Sequence, residues 1–186
     1  MMRYPHLMLV LLGLSSFSLP ADVSEDAARA IHSRLITLDS HVDIARMNQL
    51  GMMVDVSHSS EQCLLQTIKL SIAPIIASHS GVGAMADSAR NLTDEQMTAL
   101  ADSGGVLQLV AYTGFIKPDP ARDQVVYAIN IMGIDHVGIS SDFDSGGELR
   151  GWRDASESFN LTQELLTRGY NEEQISKNWG GNLLRV

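Results

Sequence analysis

The sequence predicts an α/β fold built on parallel strands, and two observations predict it. Five short apolar runs, Leu35 to Leu38, Met52 to Val56, Pro74 to Ala77, Val106 to Ala111 and His136 to Ser140, have the length and aliphatic content of strands buried on both faces. Most are separated by stretches with helix start and stop signals, and strand alternating with helix is the pattern of parallel strands joined by crossover helices. An open doubly wound sheet and a (β/α) barrel both satisfy it.

The helices follow from their caps. Ser59 or Ser60 starts one that runs to about Leu70, and Thr93 with Gln96 forms a capping box for another that stops near Gly104. A third spans Asp119 to Met132 and is ended by Gly133; a fourth runs from Ser158 to Arg168 and closes on Gly169. Asn171 caps a last helix, expected to stop at Gly180 and Gly181. One connection is irregular. Only eight residues, Ile44 to Gly51, separate Asp43 from Met52, whereas a parallel crossover needs about a dozen or more. Arg46 to Gly51 reads as the last turn of a helix with its C′ glycine, and nothing upstream supplies the body of that helix. Either a segment between Asp43 and Arg46 is absent, or these two strands are not neighbours.

Composition narrows the partners. The net charge of −9, without any Lys or Arg cluster, argues against nucleic acid and anionic membrane surfaces. Arg3, the apolar run Leu7 to Leu14 and the small residues around Ser16 to Ser18 have the layout of a secretory signal, cleaved after Ser18 or Ala21. The expectation is a leader over residues 1–21 and one exported domain over 22–186, membrane-bound only if the leader stays on. Cys63, the one cysteine, leaves no internal disulfide and is expected in the core.

Polar residues able to bind metal recur just after the apolar runs: His41 and Asp43 after the first, His58 after the second, His79 after the third, Asp142 and Asp144 after the last. In parallel folds the C-terminal ends of the strands are where sites are built. His41 and Asp43 have the period-2 spacing that sends both side chains to one face of an extended segment. Each residue taken singly has an ordinary explanation as a helix cap, a turn residue or a partner for the backbone. Together, imidazoles and carboxylates without cysteine suit Zn²⁺, with Mn²⁺ or Co²⁺ behind it, in a catalytic setting. His32 and His136 fall outside this set and read as structural; Asn91 and Asn160, in Asn-Leu-Thr triplets, read as polar helix entries. Nothing matches a nucleophile elbow, a P-loop or a dinucleotide fingerprint.

Six segments carry a more specific resemblance: LDSHVD (38–43), LGMMVDVSH (50–58), APIIASHS (73–80), SARN (88–91), GISSDFDSGG (138–147) and GGNLLRV (180–186). Their order and setting resemble the membrane (renal) dipeptidase family, from about Leu35 to Val186. The resemblance implies a TIM-barrel-like (β/α) fold, here incomplete, with about five of eight strands. It implies a two-zinc dipeptidase in which His41 and Asp43 bind one ion and His58 and His79 the other, Asp142 moves protons, and Arg90 grips the carboxylate of a dipeptide of L-Xaa-L/D-Xaa type. The family also has a glutamate that bridges the metals and a histidine that steadies the oxyanion. Neither has a counterpart here, and both belong to the stretch where the crossover is too short. That leaves open whether Asp55 or Asp144 substitutes for the bridge. A complete barrel of this class has about 250 residues, so uncovered apolar surface is expected, with homodimerisation one way to cover it. Two alternatives to the dipeptidase are a non-catalytic member that binds metal or peptide and a single-metal barrel enzyme acting on another amide.

Overall fold

Four parallel strands, β1 (Ile76–Val82), β2 (Asn91–Leu92), β3 (Val106–Leu109) and β4 (Val137–Ile139), form a sheet ordered β2–β1–β3–β4 in the computed structural model of the protein. The structure describes residues 44–115 and 121–186, the side chains of Ala121 and Arg122 excepted. Every described residue belongs to one compact unit. The leader and the strand expected over Leu35 to Leu38 lie outside the described residues.

The parallel α/β expectation is met, with shifted boundaries. Met52 to Val56 does not form a full strand. It contributes one parallel bridge, Asp55 to Ile76, flanked by hydrogen bonds from Val56 N to Ile76 O (2.8 Å) and from Ile76 N to Val54 O (3.0 Å). β1 starts two residues later than Pro74 and runs on to Val82, because its far half gains β2 as a partner, with Gly81 opposite Asn91. Between Ala77 and Ser80 its register against β3 slips by one residue, a β-bulge at Ser78 and His79.

Alternate residues of the strands share a face. Val54 and Val56, Ile75 and Ala77, Leu107 and Leu109, and Val137 and Ile139 join one apolar cluster with the helices. These are α1 (Ile44–Gln49), α2 (Glu61–Leu70), α3 (Asp94–Asp102), α4 (Ala121–Met132), α5 (Ser158–Thr167), α6 (Glu172–Ser176) and α7 (Asn182–Arg185). Leu64 of α2, Met97 and Leu100 of α3, and Val125 and Ala128 of α4 are buried in it, each large side chain contributing about 1.5–3 kcal/mol over an exposed one.

The caps are those expected. Ser60 accepts from Cys63 N, and Thr93 and Gln96 exchange both bonds of a capping box, as do Asn171 and Gln174. α1 ends in a Schellman motif: Met52 N bonds Met47 O (2.9 Å), Gly51 N bonds Asn48 O (3.1 Å), and Gly51 takes the left-handed φ of +69° that closes it. Asn91 is a buried strand residue and not a helix entry, while Asn160 is exposed within α5. Leu50, Met52, Met53, Leu70 and Ile72 are exposed apolar residues, as expected of a barrel lacking neighbours. None of the helices among the described residues is long and apolar enough to cross a membrane.

The last helix does not stop at Gly180 and Gly181. A π turn over Lys177–Gly181 carries it through both glycines into α7. Tertiary hydrogen bonds override glycine's poor helix propensity here: buried Asn178 and Asn182 each donate Nδ2 to Val137 O (both 2.8 Å), and Asn182 also to Ile134 O (2.7 Å). Arg185 adds bonds to Gly104 O (2.9 Å) and Asp135 O (2.8 Å), just ahead of β3 and β4. The C-terminus thus binds the N-terminal ends of the strands. Asn182→Ala is expected to lower the unfolding free energy by about 1–3 kcal/mol. Asn182→Asp, which points an acceptor at two carbonyls, is expected to lose more; urea unfolding at neutral pH checks the order.

Candidate functional site

The opposite rim, at the C-terminal ends of the strands, gathers most of the expected site residues. His58 follows the bridge at Asp55, Arg90 lies between β1 and β2, and Asp142 stands three residues beyond β4. His79 belongs to β1 itself, not to the loop after it, because β1 extends to Val82. Adjacent strand residues normally point to opposite faces. The bulge lets Ser78 and His79 both turn toward the segment through Asp55, and both are half-buried.

His58 and His79, 21 residues apart, bring their Nε2 atoms to 2.7 Å, with ring centroids 4.8 Å apart. Behind His79, Ser78 Oγ stands 2.8 Å from Nδ1 and donates to Asp55 Oδ2 at 2.5 Å. Asp55 Oδ1 accepts from Ser57 N (2.9 Å) and Ser78 N (3.0 Å), and His79 N donates to Ser57 Oγ (2.9 Å). Withdrawal of Asp55 from water, the largest single influence, pushes its pKa up; the bonds from Ser78 and Ser57 together outweigh it and hold the carboxyl below the usual range. With both oxygens engaged, Asp55 is committed to the protein and is poorly placed to replace a bridging carboxylate.

Three non-glycine residues among those described have left-handed backbones, His58 (φ +67°), Asp142 (+56°) and Asp144 (+65°), and all three lie on rim loops. Strain of this kind gathers at functional sites. The Asp142 loop is tight: Gly147 N bonds Asp142 O (3.0 Å), and a Cβ on Gly147 would run into the Ser141 and Asp142 carbonyls. Phe143 then packs edge-on against buried Trp152, ring centroids 5.5 Å apart, which fixes the loop to the core. Asp144 is exposed at the turn.

Loss of water around His58 lowers its pKa most, followed by the positive charge of Arg90 and by the neighbouring His79 ring; Asp142 and Asp55 pull it back up. The charges of Arg90 and Asp142 therefore both act at His58, and the balance favours its neutral form near pH 7, the form that ligates metal.

Arg90 is held oddly for a surface arginine. Its guanidinium lies 5.1 Å above the Phe115 ring, while buried Nε and Nη2 have no hydrogen-bond partner. The residues beneath it are clamped. Asn91 Nδ2 donates to the carbonyls of Ala86 and Phe115 (both 2.9 Å) and Val82 (3.3 Å); fully buried Gln124 donates to Phe115 O (3.3 Å) and accepts from Val82 N (3.3 Å).

His41 and Asp43 lie outside the described residues, and among the described residues no three His, Cys, Asp or Glu side chains converge into a complete metal site. The histidine pair nonetheless fits half of one. Both facing atoms are Nε2, and the nearby acids are carboxylates, the donor set zinc accepts. Two nitrogens on a tetrahedral zinc stand about 3.3 Å apart, so the rings at 2.7 Å need open by only about 0.6 Å. His136 Nδ1 donates to Gly105 O (2.8 Å), the structural role expected of it. Ser57, Ser78, Asn91, Phe115 and Gln124 are site-forming residues that the sequence pattern did not single out; the serines beside both histidines were the visible hint.

The family model of membrane dipeptidase (peptidase family M19) matches residues 42–186. The chain belongs to this family. It is 32% identical to dipeptidase tcpJ of Claviceps purpurea over 151 residues, 77% of this chain and 36% of that protein. Against dipeptidase 3 of Mus musculus the identity is 33% over 150 residues, 77% and 30% of the two chains. Among solved structures, the probable dipeptidase PvdM of Pseudomonas aeruginosa superposes with a TM-score of 0.74 at 35% identity, covering 76% of this chain and 51% of that one. A metallo peptidase of Rhodobacter sphaeroides, liganded with a phosphinate mimic of the dipeptide L-Ala-D-Ala, gives 0.71 at 29% identity over 86% and 45% of the chains. The chain thus spans about a third of the first two relatives and about half of these structures. Its parallel α/β architecture is part of the TIM-barrel-like fold of those dipeptidases.

Arg90→Met separates a binding arginine from a structural one. Losing the contact with Phe115 costs about 0.5–1 kcal/mol, but removing unpaired buried donors returns as much or more. The variant is expected to unfold in urea at the wild-type concentration or above; a loss of more than about 1 kcal/mol would mark the guanidinium as structural.

Proposed function

We propose that this chain carries part of a zinc dipeptidase site, and that it hydrolyses dipeptides of the L-Xaa-L-Xaa or L-Xaa-D-Xaa type. The carrying observation is the approach of His58 and His79 Nε2 to 2.7 Å at the strand-end rim, within reach of the charges of Arg90 and Asp142. His58 and His79 would hold one ion, and His41 with Asp43 the other. Bound there, zinc supplies a Lewis acid for the scissile carbonyl and lowers the pKa of water.

The chain's own residues do the rest. Arg90 binds the free carboxylate of the substrate through the donors it leaves unpaired, a bidentate match that selects dipeptides over longer chains. Asp142, on its tight left-handed loop, takes the proton released by the attacking water and hands it to the leaving amine. The bonds between Asp55, Ser78 and His79 keep the rim rigid, so that binding energy is not spent on ordering it. Residues 1–21 are proposed as an export leader, which places the reaction outside the cytoplasm.

One observation favours a second reading, a non-catalytic member that binds metal or peptide: the chain spans only about a third of the length of the first two relatives. Zinc content and turnover of L-L and L-D dipeptides by the purified chain separate the two. The dipeptidase reading expects bound zinc and turnover that falls about 10²–10⁴-fold in Asp142→Asn with zinc retained. Zinc or peptide binding without turnover is the non-catalytic member, and preference for N-blocked amides over dipeptides points to another amide hydrolase.

A further inference from the structure

The rim contains one chain of groups whose proton positions can be counted. Asp55 accepts three hydrogen bonds, two of them from backbone N–H groups. An ionised carboxylate has no proton to give. The proton in its 2.5 Å contact with Ser78 Oγ is therefore the serine's own. A hydroxyl has only one. Facing His79 Nδ1 at 2.8 Å, Ser78 Oγ has only lone pairs left, so the proton between them belongs to Nδ1. A neutral imidazole protonated on Nδ1 has a lone pair on Nε2, the atom that faces His58.

We infer that Asp55 and Ser78 are positioning residues that lock His79 in its Nδ1–H tautomer, presenting an Nε2 lone pair to the rim before any cation arrives. The inference deepens the zinc-site reading and rests on it only for its purpose, because the proton count is made on the chain alone. It makes the two histidines unequal. In the metal-free chain His58 must donate its Nε2–H across the 2.7 Å contact, the opposite tautomer. His58 is an exposed loop residue with a left-handed backbone, and among the described residues its ring bonds only His79. It can change tautomer to accept a cation, whereas His79 has no need to. The bulge in β1 is what permits this, since it turns Ser78 and His79 to the same side.

The test is long-range ¹H–¹⁵N spectroscopy of the histidine rings in the metal-free full chain above pH 7.5, with His79 assigned by its loss in His79→Asn. Wild type is expected to show His79 protonated on Nδ1, the form less favoured by free histidine in water. Ser78→Ala is expected to move it toward Nε2–H, and Ser78→Thr, which keeps the hydroxyl, to restore it; amide spectra of each variant report that the fold is kept. Asp55→Asn, whose amide cannot fix the serine proton in the same way, is expected to mix the tautomers. His79 found as Nε2–H in wild type, or unmoved by Ser78→Ala, overturns the inference. Zinc titration of the same samples is the separate readout: about 10–100-fold weaker binding in Ser78→Ala is expected. Equal zinc affinity in wild type and Ser78→Ala overturns the positioning role. A wild type with the expected tautomer and no zinc affinity supports the proton assignment and defeats the zinc reading instead.

Discussion

The attachment of the segment through Asp55 to the edge of β1 is the constraint on which the rim depends. That segment makes only one strand-like bridge, so backbone pairing alone holds it weakly. The Asp55 carboxylate makes up the difference, tying Ser57 and Ser78 together from the two sides of the junction. Because the pairing is parallel, whatever follows Val56 leaves at the same end of the sheet as whatever follows β3 and β4. His58 meets His79, and the charge of Asp142 acts at His58, as a consequence of strand direction. The far end is taken by the C-terminal helices, where Asn178, Asn182 and Arg185 satisfy carbonyls ahead of β3 and β4. One end is stitched shut for stability and the other carries the polar, strained loops.

Much of this was legible in the sequence because it rests on local signals. The capping box at Thr93, the cap at Asn171 and the glycine at the end of α1 act within a turn or two, and each formed as the residues implied. The parallel class followed from alternation of apolar runs with capped helices. What sequence could not show was decided at a distance. The π turn through Gly180 and Gly181 exists because two asparagines reach Val137 across more than 40 residues. The β-bulge at Ser78 and His79 is a register event between β1 and β3, and it is why His79 sits within the strand. Gln124, fully buried in the first turn of α4, has no local signature, yet it holds the carbonyl of the residue on which Arg90 rests.

The family assignment sharpens the question raised by the short connection at Ile44 to Gly51. Residues 42–186 match the membrane dipeptidases, while the chain spans only part of the relatives it matches. The exposed Leu50 lies in that connection, and the exposed Met52, Met53, Leu70 and Ile72 lie on the stretch that follows it. Asp55 is engaged by Ser57 and Ser78, and Asp144 is exposed at its turn. Of the proposed metal site, the part within the described residues is the pair His58 and His79, and on the zinc reading an ion is expected between them.

The central claim is that these two imidazoles act as one ligand unit. A double-mutant cycle on zinc affinity in His58→Ala, His79→Ala and the double variant measures that directly. Joint ligation predicts that either single change removes nearly all the affinity and that the double change removes little more, so the losses are far from additive. Losses that simply sum, or single variants that bind zinc as tightly as the wild type, would mean that the two rings are neighbours without a shared ion.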